Sequence, residues 1–155
     1  MTFLNRTSLK GNGNHRPRIL FVEDNDISRE LIRRIFRRME QITVDVARDG
    51  AEALTLHQQH HYQLIFMDLQ MPAMNGIQVT QEIRKREREN GLNHTPVIAV
   101  TAYVSDEDRL RCLEAGMNDF LPKPVDTEAL IQKMIHHLEQ LPQDETSEEN
   151  ERLND

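Results

Sequence analysis

The chain has 155 residues, a net charge of −7 and an apolar content of 37%, which suits one domain of ordinary size with polar ends. It holds no run of about 18 apolar residues, as a membrane-spanning helix requires, no apolar stretch of a secretory leader in MTFLNRTSLKGNGNHRPR, and one cysteine, Cys112, so no internal disulfide. The acidic balance lacks a basic stripe, which speaks against direct nucleic-acid binding, and these features together predict a cytoplasmic address without membrane insertion.

Residues 1–16 are rich in Gly, Asn and Arg without apolar periodicity and read as a flexible lead. The core then spans 17–140 and alternates strand with helix. The first strand is predicted at Ile19-Leu20-Phe21-Val22, apolar throughout, as a strand buried on both faces should be. A helix follows, on which Ile27, Leu31, Ile35 and Met39 recur at helical spacing, with Arg33, Arg34, Arg37 and Arg38 on other faces. Ile42-Thr43-Val44-Asp45-Val46 alternates and fits a more exposed second strand. Asp49 and Glu52 cap a second helix, and Leu64-Ile65-Phe66-Met67 is a buried third strand. Asn75 precedes a third helix carrying Ile77, Val79 and Ile83. Val97-Ile98-Ala99-Val100 is the fourth strand. Ser105 and Asp108 open a fourth helix, with Leu110, Leu113 and Ala115, that stops near Gly116. Asp119-Phe120-Leu121 is the weakest strand, and the fifth helix follows Asp126-Thr127-Glu128 with Leu130, Met134, Ile135 and Leu138 facing inward. Residues 141–155 hold six acids against one base, Arg152, and read as an acidic disordered tail. No second periodic block follows the core, so output through protein contact or phosphoryl relay is expected rather than an attached DNA-binding or enzymatic unit.

Such alternation predicts an α/β fold, a doubly wound parallel sheet with helices on both faces. Ligands of such sheets sit beyond the carboxyl ends of the strands. Here those ends carry Glu23-Asp24, Asp68, Thr101-Ala102 and Lys123-Pro124. Three carboxylates brought together repel unless a cation joins them, and a small set of hard oxygen ligands suits Mg²⁺. An outward carboxylate there can attack phosphorus and become an acyl phosphate. Catalysis then rests on holding the three phosphoryl oxygens: one by Mg²⁺, one by Lys123, one by the Thr101 hydroxyl and the Ala102 amide.

In Glu23-Asp24-Asn25, Met67-Asp68-Leu69-Gln70-Met71-Pro72, Asn75-Gly76, Thr101-Ala102, Gly116 and Lys123-Pro124 the chain resembles the response-regulator receiver family of two-component signalling, over roughly residues 17–140. The wording VEDN…MDLQMP…AGMNDFLPKP is closest in flavour to receivers of hybrid histidine kinases. The resemblance implies a flavodoxin-like five-stranded sheet in the order 2-1-3-4-5. It also implies Asp68 as phosphoacceptor, Asp24 as direct Mg²⁺ ligand with Glu23 acting beside it, and the Gln70 backbone carbonyl as a further ligand. Lys123 resembles the phosphate-pairing lysine, before a bond often cis. Thr101 and Phe120 resemble the switch pair, and Gln70 and Tyr103 hold positions that tune the lifetime of the phosphoryl group. Implied partners are a histidine kinase or histidine phosphotransfer protein as donor, and a downstream protein or a second copy on the face of the fourth helix, fifth strand and fifth helix. Two positions depart from the pattern: Asn75 stands where Asp is commoner, and Phe120 lacks a phenolic hydroxyl.

Competing readings are weaker. An aspartyl-phosphate hydrolase of the haloacid dehalogenase type wants an acid two residues after the nucleophile, where Gln70 stands, and places that nucleophile after the first strand. A pseudo-receiver that only binds partners has no need of the full set of phosphorylation residues. Flavin binding on the same fold sits poorly with an acidic pocket. Elsewhere, His57, His60 and His61 read as a polar helix end, His136-His137 as favourable charge at a helix terminus, and Arg84-Lys85-Arg86-Glu87-Arg88-Glu89 as a solvated, ion-paired helix face. Cys112 reads as a small helix residue without an activating partner, and most of the seven methionines as core filling.

Overall fold

The computed structural model describes residues 16–102 and 105–141. The predicted lead, apart from Arg16, the predicted tail beyond Leu141, and Tyr103 lie outside them. Strands β1 (Arg18–Val22), β2 (Thr43–Ala47), β3 (Leu64–Asp68), β4 (Val97–Thr101) and β5 (Asp119–Pro122) alternate with helices α1 (Asp26–Arg37), α2 (Gly50–Gln59), α3 (Gly76–Asn90), α4 (Asp106–Ala115) and α5 (Thr127–Glu139). The strands form one parallel sheet in the order β2-β1-β3-β4-β5, as expected.

Burial follows the sheet order. Every residue of the inner strands β3 and β4 is buried, whereas the edge strand β2 buries only Ala47, which accounts for its alternating sequence. Two cores lie on opposite faces. One packs Leu20, Val22, Ile65, Met67 and Ala99 with Ala53, Val79, Ile83 and Cys112 under α2, α3 and α4. The other packs Ile19, Phe21, Phe66 and Val100 with Ile32, Phe36, Leu130 and Met134 under α1 and α5. Each helix begins at a side chain that accepts from its own first turn: Asn25 from the Ser28 amide, Asp49 from Glu52, Asn75 from Gln78, Ser105 from Asp108 and Asp126 from Ala129. Five such starts place every helix N-terminus at the carboxyl edge of the sheet.

Three expectations need correction. On α1, Ile27 and Leu31 are 82% and 53% exposed, and the buried residues are Ile32 and Phe36, with Ile35 and Met39 packed beside them. Steps of four residues advance about 40° each around a helix of 3.6 residues per turn. The stripe 27-31-35-39 therefore starts off the sheet and reaches it only at Ile35 and Met39, beside the buried Ile32 and Phe36. On α4, Leu110 and Leu113 are exposed and Cys112 and Ala115 are buried, because that helix lies on the sheet by the opposite side. The run 84–89 is not wholly solvated: Arg84 and Glu87 are buried. The Arg84 guanidinium pairs with Glu87 Oε1 at 2.5 Å, donates to the Gly116 carbonyl at 2.8 and 3.0 Å and to Asn118 Oδ1 at 3.0 Å, and Glu87 Oε2 accepts from the Thr95 amide at 2.6 Å. This network ties the end of α3 to the turns before β4 and β5.

Candidate functional site

Glu23 follows the last residue of β1, Asp68 ends β3, Thr101 ends β4 and Lys123 follows β5. Parallel register pairs Asp68 with Val100 and Thr101 with Pro122, so the four arrive at one edge. Glu23, Asp68 and Thr101 are buried, at 2%, 0% and 3% exposure, whereas Asp24 is partly buried and Ala102 exposed. Carboxylate oxygens of Glu23, Asp24 and Asp68 all lie within 4.8 Å of one another. Lys123 closes the pocket from the other side, its Nζ 3.1 Å from Asp68 Oδ1 and 3.3 Å from Glu23 Oε2. The Lys123 amide donates to the Thr101 carbonyl at 3.0 Å, and the Lys123–Pro124 bond is cis.

The loop after β3 is held close to the pocket. Gln70 meets Asp68 through its amide, which donates to Oδ1 at 3.1 Å. Gly76, the first residue of α3, leaves no room for a side chain, since a Cβ there would lie 2.3 Å from the Asp68 carbonyl oxygen. Asn75 caps α3 in a reciprocal capping box with Gln78, so the departure at that position leaves the helix start intact. Phe120 is half-buried against the core under α4, and the Arg109 guanidinium lies 5.2 Å from its ring centroid.

Charge in the pocket is finely opposed. Burial pushes the Asp68 carboxyl up to about 6, helped by the neighbouring Glu23 charge and resisted by the Gln70 amide and Lys123. Burial pulls Lys123 down, but the charges of Asp68 and Glu23 outweigh it and raise its pKa. Asp68 Oδ1 is saturated by Lys123 and the Gln70 amide, while Oδ2 is buried with no hydrogen-bond partner. A buried anionic oxygen without a donor, facing two further carboxylates, fits a hard cation bound by oxygen.

Sequence reasoning missed Arg29. Its guanidinium donates to the carbonyl oxygens of Glu23 at 3.0 Å and Asp24 at 2.7 Å and pairs with the Asp26 carboxylate. One signal was available: a cation close to the positive end of a helix opposes the helix dipole, so another contact must hold it there. No described histidine belongs to a cluster that could hold a metal ion. Among the described residues, Glu23, Asp24 and Asp68 form the one group able to hold a metal ion. Burial raises the Cys112 thiol pKa, in keeping with an inert core residue.

A five-stranded parallel sheet in this order is the flavodoxin-like doubly wound fold, which puts ligands beyond the carboxyl edge where the acidic pocket lies. The model of the response regulator receiver domain matches residues 19–135, and the chain belongs to that family. Among curated proteins it is similar to hybrid signal transduction histidine kinase L of Dictyostelium discoideum, 40% identical over 111 residues, covering 70% of this chain and 6% of that protein. The chain thus spans only a small part of the length of such curated relatives. Among solved structures it resembles the receiver domain of Ssk1 from Saccharomyces cerevisiae in complex with the histidine phosphotransfer protein Ypd1, with TM-score 0.71, 34% identity and coverage of 76% of this chain and 86% of that one. A receiver domain of a Pseudomonas aeruginosa sensor histidine kinase, solved with a magnesium ion coordinated in its active site cleft, gives TM-score 0.68 and 33% identity over 82% of this chain and 100% of that one. Receiver domains serve two-component and phosphorelay signalling. No helix among the described residues is long and apolar enough to cross a membrane.

Proposed function

We propose that this domain accepts a phosphoryl group on Asp68 from a histidine kinase or a histidine phosphotransfer protein, with Mg²⁺ bound by Glu23, Asp24, Asp68 and the Gln70 carbonyl. The observation that carries this reading is the asymmetric Asp68 carboxylate: one oxygen is held by Lys123 and an amide, the other is buried without a donor beside two acids. The Asp68 carboxylate is the nucleophile. It forms the O–P bond as the bond from phosphorus to the donor imidazole nitrogen breaks, and the electron pair leaves with the imidazole. The bound cation supplies charge neutralisation for the gathered carboxylates and the incoming phosphoryl oxygens. Lys123, already in place at 3.1 Å, turns to a phosphoryl oxygen once Asp68 is esterified, and the Thr101 hydroxyl with the Ala102 amide holds another.

Phosphorylation adds about −1.5 to −2 charges to the pocket. Drawing Thr101 toward those oxygens opens space beside Phe120 and biases the face of α4, β5 and α5 between two arrangements. That face then meets the downstream protein or a second copy. Phe120 brings no phenolic hydrogen bond to this step, so packing and its contact with Arg109 set the balance. Gln70 and Tyr103 are proposed to set the lifetime: the bulk of Tyr103 shields the acyl phosphate from water, and Tyr103→Ala is expected to lose its phosphoryl group faster, as followed by intact mass over time.

The decisive experiment is intact mass after incubation with acetyl phosphate, with Mg²⁺ or with chelator, for wild type and Asp68→Asn. One phosphoryl adduct that needs Mg²⁺ and is absent from Asp68→Asn is the expected result. A folded wild type that never gains the adduct would overturn the reading and leave a partner-binding module in its place.

A further inference from the structure

The three acids of the pocket are held very differently. Asp68 Oδ1 is fixed by Lys123 and the Gln70 amide. Glu23 is fixed by Lys123 and by the Asn25 amide, which donates to Oε1 at 3.2 Å. Asp24 is only partly buried, and among the described residues its carboxylate has no hydrogen bond or ion pair. Only its backbone, through the direction of the Cα–Cβ bond, limits where it can reach. The Glu23 carbonyl belongs to the peptide unit entering Asp24, and the Asp24 carbonyl to the unit leaving it. Both accept from the same nitrogen, Nη1 of Arg29, at 3.0 and 2.7 Å, while Nη2 is anchored on Asp26. The Arg29 side chain is only 11% exposed, although its partner Asp26 is 90% exposed. A guanidinium drawn out of water near a helix N-terminus is costly by both solvation and dipole, and these contacts offset that cost.

We propose that Arg29 is a positioning residue of the cation site. By pinning both peptide units that flank Asp24, its guanidinium aims an otherwise unrestrained carboxylate at Glu23 and Asp68. This inference rests on the acidic pocket being a divalent-cation site.

Charge and geometry make opposite predictions here. If Arg29 acted only as a nearby positive charge, its removal would relieve repulsion and tighten cation binding. If it is a clamp, removal weakens binding, because Asp24 must then be ordered when the ion arrives. Lysine keeps the charge, but on its shorter chain it lacks the planar fork that braces Nη1 on the two carbonyls from Asp26, so Arg29→Lys should lose binding as Arg29→Ala does.

The test is Mn²⁺ binding to the full chain by water-proton relaxation, with Mg²⁺ as competitor, at fixed ionic strength. Wild type, Arg29→Lys, Arg29→Ala and Ile32→Ala are compared, each with its melting temperature. The dissociation constant is expected to rise about tenfold in both Arg29 variants, the lower range for loss of an outer partner at a metal site. Ile32→Ala removes a buried side chain from the same helix and should leave binding unchanged. Unchanged or tighter binding in Arg29→Lys overturns the clamp, even if Arg29→Ala does not fold. So does an equal loss in Ile32→Ala, which would mark general loosening of α1. A wild type that binds neither ion overturns the metal-site reading and the clamp together, whereas a wild type that binds with indifferent Arg29 variants overturns the clamp alone.

Discussion

Asp68 is worse off ionised in the folded, metal-free chain than in the unfolded one. Its carboxyl moves from 3.8 to about 6, with burial as the leading cause and Glu23 adding to it, against the Gln70 amide and Lys123. Between those values the native state binds more protons than the unfolded state, so stability falls as pH rises through the window from about 4 to about 6. Above it the full cost remains. Asp68→Asn is therefore expected to raise the melting temperature of the metal-free protein at pH 7, with a gain that shrinks toward pH 4. Melting curves across that range check it; a drop at pH 7 would mean that the pairing with Lys123 outweighs the burial.

Helices here are held by side chains that charge and hydropathy alone would misplace. On α1 the buried pair is Ile32 and Phe36, not Ile27 and Leu31. In urea, Ile32→Ala should cost roughly 2–4 kcal/mol, while Ile27→Ala should stay within about 0.5 kcal/mol of wild type. On α3, Arg84 and Glu87 form a buried pair whose other bonds reach Gly116, Asn118 and Thr95. Removing one member of a buried pair leaves the other unpaired, at about 3 kcal/mol or more. Arg84→Ala should show that loss, and exposed Arg88→Ala almost none. Gly116 has φ 104° and a Cβ there would meet Arg84 at 2.9 Å, so Gly116→Ala should also destabilise. Equal stability of Arg84→Ala and Arg88→Ala would show that the network contributes nothing net.

At the scale of the whole molecule, ion binding and folding are linked. A cation that binds the assembled pocket and not the unfolded chain stabilises the fold by about 2.7 kcal/mol at a hundred times its dissociation constant. It also removes the penalty of ionised Asp68. Calorimetry with and without Mg²⁺ at pH 7 should show a higher transition temperature with the ion, reversed by chelator and much reduced in Asp24→Asn. An Mg²⁺ effect of equal size in Asp24→Asn would place the ion elsewhere. The acids that would hold the ion come from the ends of β1 and β3, neighbours in the sheet but separated in the chain by β2 and α2, so the site exists only once the sheet has formed.

The period of the apolar residues, the caps and the placing of Glu23, Asp24, Asp68, Thr101 and Lys123 after strands were all legible in the chain, because a parallel sheet converts strand ends into neighbours without any knowledge of packing. The short apolar runs of β3 and β4 fit strands covered on both faces, and their length sets them apart from buried helices. What remained hidden depended on contacts between elements far apart in sequence. Which stripe of α1 and α4 faces inward is settled by the angle at which each helix meets the sheet, and both helices carry more than one apolar stripe. That Arg84 and Glu87 leave water, amid neighbours of identical chemistry, is decided by the Gly116 carbonyl and the Thr95 amide arriving beside them. That one oxygen of Asp68 is saturated and the other bare follows from where Lys123 and the Gln70 amide come to rest. By itself the sequence determined which groups meet at the edge of the sheet; their distances, burial and supports, Arg29 among them, arose only once the chain had closed around them, because desolvation and hydrogen-bond geometry exist only in the packed state.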